Sequence, residues 1–268
     1  MNIYSIKDLN EMIKSFNLKN QYVLIHSSLF TLGKIENIPI SQINDFLLNF
    51  FEENFKVFFP TYNYSFPKTG FIDLTKPNSQ VGELTNFALK KGYFRTSTPM
   101  FSHCGNDKEL IKEDFIETNP FSEESFFHRF REKNGKFLIF GAKPLHLTYI
   151  IYTEYMNNVK YRFLKPFEGK IKTKNNLISG KFYHFAFPLN GEIKHNYCKF
   201  YSYLINKKIL KSFYLGKKSV YCIDANEFFD EVSKYLKNNP FGLIEKKPIY
   251  LYYWDDKEKK EKKYKVDI

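Results

Sequence analysis

The sequence predicts an α/β protein with a mixed, largely parallel central sheet and helices on both faces, the architecture that alternating strands and helices produce. Three observations carry this. Short apolar runs of strand length alternate with stretches of helical period through much of the chain. Apolar residues make up 43%, with 30 Phe and 20 Tyr, enough for a sizeable core. No stretch rich in Pro, Gly or Ser and no internal repeat divides the chain, so residues 1–253 read as a single domain.

The elements follow in order. Ser5 caps a helix whose apolar positions Ile6, Leu9, Met12, Ile13 and Phe16 share one face. Tyr22 to His26 (YVLIH) is a strand ending at the turn-capable Ser27 and Ser28. Ser41 opens a second helix, and Lys56 to Pro60 (KVFFP) is a second buried strand closed by its proline. Thr61 to Gly82 holds no sustained period and reads as a long loop over the sheet, a length that in compact domains usually accompanies function.

Leu84 to Lys91 is a short helix, and Gly92 to Gly105 is turn-rich. A helix over 124–133, the strand Lys136 to Phe140 and a helix over 146–157 renew the alternation. Beyond Val159 come strand-like pieces at 181–187 and 219–223, and helices near 196–207 and 225–237. Residues 254–268 are a charged C-terminal tail or edge element.

Charge narrows the function. Lys and Arg number 41 against 29 Asp and Glu, a net charge of +12 that draws anions to the surface. The first dozen residues mix charge with apolar positions, unlike a signal peptide, and no apolar window is long enough to span a membrane. The three cysteines, Cys104, Cys198 and Cys222, are scattered and show no C-x-x-C spacing. The expectation is a cytoplasmic protein with no metal and no membrane partner.

Ligands of α/β sheets gather at strand ends, where backbone N–H groups and helix N-termini converge. Three segments have that form: HSSLFTLG (26–33), PTYNYSF (60–66) and FGAKPLHLT (140–148). Further blocks follow in order. They are Val81-Gly82-x-Leu84-Thr85, Phe94-Arg95-Thr96 with Pro99 and Ser102, Phe121 with Ser125 and Phe127, Thr148 with Glu154, and Tyr161-Arg162-Phe163 with Phe167 and Gly169.

In these blocks the chain resembles the aminoglycoside 3-N-acetyltransferase, or antibiotic N-acetyltransferase, family, from about residue 22 to 170 and more loosely to about 245. PTYNYSF, YFRTSTPMFS and YRFLKPFEGKI look most like the branch that N-acylates nucleotide-linked amino sugars. The resemblance implies a transferase moving an acyl group from acetyl-CoA or another acyl-CoA to a small-molecule amino-sugar acceptor in surface-glycan biosynthesis. The basic charge agrees, since CoA and nucleotide sugars are anions and aminoglycosides are polycations. An oligomer is compatible with this reading.

The resemblance also implies site residues. It places CoA near His26, Ser27, Ser28 and Leu29, where the hydroxyls either cradle the donor or cap the next helix. Arg95, Ser97 and Ser102 belong to the same cofactor-binding set, with a buried arginine that pins the loop as the alternative. Tyr64, Ser65, Thr98 and Thr148 are the acceptor-binding set.

The family's pattern T-x-x-H-x-x-E runs here from Thr148 to Glu154 with Ile151 in the histidine position. Glu154 and His146 are the remaining catalytic candidates for taking the amine proton, with a surface residue at the helix start as the alternative for His146. For Glu154 a carboxylate bonded to a neighbouring hydroxyl or arginine is the alternative. Ile151 and Thr98, the latter also a departure from the family, motivate a catalytically silent relative that binds acyl-CoA or a sugar nucleotide. Nucleic-acid binding ranks last, because no motif for it is present and the aromatics fall mostly at core positions.

Overall fold

A computed structural model describes residues 2–266. Strand β1 (Ile3–Tyr4) leads into α1 (Ile6–Ser15), whose start is fixed by a reciprocal capping box. The Asp8 N–H donates to Ser5 Oγ at 3.1 Å and the Ser5 N–H donates to Asp8 Oδ2 at 2.7 Å. Then come β2 (Tyr22–Ser27), the one-turn α2 (Leu29–Leu32), β3 (Lys34–Ile35), α3 (Ile43–Asn54) and β4 (Lys56–Pro60). The long connection after β4 holds α4 (Phe66–Thr69) and β5 (Phe71–Asp73) before α5 (Glu83–Lys90).

Next are β6 (Phe94–Arg95), β7 (His103–Gly105), α6 (Phe126–Glu132), β8 (Lys136–Phe140) and α7 (Tyr149–Met156). The chain continues through β9 (Phe163–Lys172), β10 (Leu177–Ala186), α8 (Tyr197–Asn206), β11 (Lys211–Leu215), β12 (Lys218–Asp224) and α9 (Ala225–Asn238). It closes with the hairpin of β13 (Tyr250–Asp255) and β14 (Lys260–Lys265).

The main sheet has the order β11-β12-β8-β2-β4-β7-β6. Its centre, β8-β2-β4, is parallel, and the strands on either side join antiparallel. The sheet is mixed, as expected, but two of its six pairings are parallel and four antiparallel, so its parallel part is smaller than expected and confined to the middle. A second sheet, β10-β9-β5, stands beside it.

Strand alternation sorts the core onto two faces. Val23 and Ile25, with Val57, Phe59, Leu138 and Phe140, pack against α1, α3 and α5. Leu24, Phe58, Phe137 and Ile139 face the other way, against α6, α7, α8 and α9. Each of these side chains is essentially fully buried, worth about 1.5–3 kcal/mol apiece.

The charged segment after residue 253 contributes to the hairpin, which is tied to β9 and β10 by Lys165–Glu261 at 2.5 Å and Lys181–Asp256 at 3.5 Å. Asp267 and Ile268 of that segment lie outside the described residues. Among the described residues no helix is long and apolar enough to cross a membrane.

Candidate active site

The C-terminal ends of the three parallel strands open on one side of the sheet, and a cleft of about 190 Å3 lies there. From β2 come His26 and Ser27; from the end of β4 and beyond, Pro60, Tyr62 and Tyr64. The start of α5 adds Val81, Gly82 and Thr85, and the segment after β8 adds Ala142, His146 and Thr148. The expected gathering of the segments 26–33, 60–66 and 140–148 is therefore what the topology produces.

Backbone geometry holds these walls in place. The Ser28 N–H donates to the Phe140 carbonyl at 2.9 Å, locking the β2 exit to the end of β8. Gly141 follows at φ +80°, where a Cβ would come within 2.6 Å of Ser28 O and Leu32 Cγ, so only glycine lets the two tips approach this closely. On the β4 side, Thr61 N–H donates to Ser102 O at 2.8 Å and Gln80 N–H to Tyr62 O at 2.9 Å. The long loop is consequently a bonded wall.

Two histidines border the cleft in different states of exposure. His146 is exposed, in a short turn before α7. His26 is buried, and burial together with the nearby His146 pushes its pKa down to about 4, so it is neutral near pH 7. Its Nε2 has no hydrogen-bond partner. Tyr62 is 2% exposed, and burial raises the affinity of its phenol for the proton, an effect that the Thr148 hydroxyl beside it partly offsets. Among the described residues that line the cleft, none carries a carboxylate.

Of the residues expected from sequence, His26, Ser27, Tyr64, His146 and Thr148 meet in this cleft. Ser28 and Leu29 sit at the adjoining turn, where Ser28 Oγ bonds Thr31 Oγ1 at 2.9 Å. Ser65 is the residue before α4, with its hydroxyl donating to Asn63 Oδ1 at 2.6 Å.

Other residues lie elsewhere, which corrects their assignment. Arg95 is buried and turned into the loop it supports: Nε donates to Ser102 Oγ at 3.1 Å, Nη1 to Asn78 Oδ1 at 2.7 Å and Nη2 to Thr61 O at 3.0 Å. Nη1 also donates to Lys76 O at 3.2 Å, so four of the arginine's five N–H donors are spent on pinning the loop, and its side chain does not line the cleft. Ser97 donates to the Glu113 carbonyl, and Arg95 and Ser97 edge a separate hollow of about 130 Å3. Ser102 is fully buried against Thr61, Thr98 is 1% exposed, and neither lines the cleft.

Glu154 is the largest correction. It is fully buried on α7 and pairs with Arg162 Nε at 2.8 Å, while the hydroxyls of Tyr161 and Tyr197 donate to it at 2.9 and 3.2 Å. Burial pushes its carboxyl up, and the Arg162 guanidinium pulls it back. With both oxygens engaged and no surface on the cleft, it does structural work. Ile151 packs partly buried against the same core.

Sequence reasoning missed Tyr62 and Thr85 as cleft residues. Both stand inside the matched blocks PTYNYSF and Val81-Gly82-x-Leu84-Thr85, which was the available signal. An aromatic next to a buried strand reads as core, and only the fold shows that it also faces a ligand space.

The family model for aminoglycoside 3-N-acetyltransferase matches residues 24–237. No curated protein matches the chain. Among solved structures, the AAC(3)-IVa aminoglycoside acetyltransferase apoenzyme is 16% identical with a TM-score of 0.66, covering 89% of this chain and 90% of that one. AAC-IIIb, determined as a binary complex with CoASH, is 13% identical with a TM-score of 0.72, covering 88% and 97%. YokD from Bacillus subtilis is 15% identical with a TM-score of 0.67, covering 87% and 99%. The chain belongs to this family of acyl-CoA-dependent N-acetyltransferases.

Proposed function

We propose that this member of the aminoglycoside 3-N-acetyltransferase family moves a short acyl group from acyl-CoA to the amine of a nucleotide-linked amino sugar, in surface-glycan biosynthesis. The observation that carries the reading is the cleft at the strand tips, lined by hydroxyls and imidazoles without a carboxylate. A polycationic acceptor needs fixed negative charge, whereas an anionic one is favoured by the protein's net charge of +12. The volume of about 190 Å3 is below the ~300–1,000 Å3 that encloses a drug-sized ligand, so only the reacting ends enter.

Acyl transfer needs the amine deprotonated as it attacks the thioester. His146, exposed on the cleft, receives that proton and returns it to the departing sulfur. It thereby takes the part that Ile151 cannot play. Ser27 and Thr148 orient the two substrates through their hydroxyls. His26, kept neutral by burial, adds no cationic charge beside the amine.

The test is thiol release from acetyl-CoA by the purified chain with UDP- and dTDP-linked amino sugars and, separately, aminoglycosides. Turnover is expected with a nucleotide sugar, and His146→Gln should lower kcat by about 10²–10⁴. Turnover with aminoglycosides alone would overturn the acceptor assignment. A second reading, a silent relative that binds acyl-CoA or a sugar nucleotide, is favoured by Ile151. It gains if the folded wild type consumes no thioester and Ile151→His does.

A further inference from the structure

We propose that Tyr62 donates the hydrogen bond that stabilises the oxyanion of acyl transfer, and that buried His103 positions the phenol for it. This deepens the acyl-transfer reading above and rests on it. Tyr62 lines the cleft beside Thr148 and His26. Behind it, Tyr62 Oη lies 3.3 Å from His103 Nε2, and the two rings stand perpendicular with centroids 5.5 Å apart. His103 is 1% exposed, stacked on Phe126 at 4.2 Å and set edge-on to Phe127 at 4.7 Å. An imidazole held this firmly fixes whatever bonds to it.

Hydrogen-bond accounting sets the direction. Burial, with His26 and Arg129 nearby, keeps His103 neutral, so one ring nitrogen carries hydrogen and the other a lone pair. Nδ1 has no partner. A hydrogen on Nδ1 would strand a buried N–H donor, whereas a hydrogen on Nε2 finds the Tyr62 oxygen and leaves only a lone pair unmatched. With Nε2–H donating to Tyr62 Oη, the phenol's own hydrogen points away from His103, on the side of the cleft and the Thr148 hydroxyl. Burial also holds the phenol in its O–H form at neutral pH, a donor and not a base.

The step then balances. The amine nitrogen attacks the thioester carbonyl carbon, a C–N bond forms, and the C=O π pair moves to oxygen, where the Tyr62 O–H donates without losing its proton. The amine proton passes to His146. As the C=O bond re-forms, the C–S bond breaks and sulfur leaves with the electron pair, taking the proton from His146. The products are an amide and the CoA thiol.

Tyr62→Phe keeps the ring and removes the donor. With acetyl-CoA and a UDP- or dTDP-linked amino sugar that the wild type uses, kcat should fall about 10²–10³-fold, the usual cost of one oxyanion donor, with KM for acetyl-CoA little changed. His103→Phe should lower kcat in the wild-type background and not at all in the Tyr62→Phe background, because His103 acts only through the phenol. A merely structural histidine would lower kcat in both, and that result would overturn its positioning role. If His103→Phe does not fold, His103→Gln takes its place in the same comparison. Wild-type turnover with an undiminished Tyr62→Phe overturns the part given to Tyr62 alone. A folded wild type that consumes no thioester with any acceptor overturns the acyl-transfer reading beneath it.

Discussion

At the scale of single residues, the Glu154 carboxylate is held by Tyr161 and Arg162, just before β9, and by Tyr197 of α8. Glu154 falls three positions after Ile151, and helical spacing alone puts it on nearly the same face. What that spacing leaves out is that Arg162 and Tyr197, 8 and 43 residues further on, converge on the same carboxylate. Removing one partner of a buried ion pair leaves an uncompensated charge, typically costing about 3–5 kcal/mol. Glu154→Gln should therefore lower the denaturation midpoint sharply, while the folded fraction keeps its kcat. An unchanged midpoint with kcat abolished would return Glu154 to the chemistry. Tyr62 was hidden for the opposite reason, since a buried phenol and a core ring look alike until a neighbouring cleft is seen.

At the scale of elements, the loop from Thr61 to Gly82 and the strands around it show what patterning can and cannot disclose. The central strands were legible because each is a short, continuous apolar run buried on both faces, and the expected Lys56–Pro60 and Lys136–Phe140 match the observed limits. The edge strand β6 and its neighbour β7 are two and three residues long, too short for a period, and exist because β4 offers β7 a partner and β7 offers one to β6. The strand β9, FLKPFEGKIK, carries a proline and a glycine and owes its strand form to its long pairing with β10. Arg95, in β6, joins these pieces, bonding to Ser102 just before β7 and to Thr61 and Asn78 of the loop. Hydrogen bonds to charged groups contribute about 1.5–3 kcal/mol each, so Arg95→Met should destabilise by at least that amount and loosen the loop to proteolysis. A variant that melts normally but shows a raised KM for acetyl-CoA would mean that the guanidinium binds the donor instead.

At the scale of the whole molecule, three buried neutral histidines tie the fold to pH. Burial is the largest cause in each case: His26 is pushed down to about 4, His184 to about 3 with Arg162 and Lys165 adding to the effect, and His103 well below its ordinary value. Unfolded, each titrates near 6.5. Between pH 6.5 and the folded values the unfolded chain binds protons that the folded chain refuses, so stability falls as pH falls through that window and is unaffected above it. At pH 5 the gap to 6.5 is about 1.5 units, or about 2 kcal/mol each for His26 and His184, and His103 acts in the same direction, which is a large share of a stability of about 5–15 kcal/mol. Protonation also adds to a net charge already at +12, and that self-repulsion acts in the same direction. Urea unfolding should show a much lower midpoint at pH 5 than at pH 7. His184 offers the control, because its ring lies 4.9 Å from Phe101 and 5.9 Å from Phe121 in surroundings that accept a phenyl. In His184→Phe the loss between pH 7 and pH 5 should shrink by about 2 kcal/mol. Equal midpoints at the two pH values in the wild type would show that these imidazoles reach water on folding, and the neutral state assigned to His26 and His103 beside the cleft would fall with them.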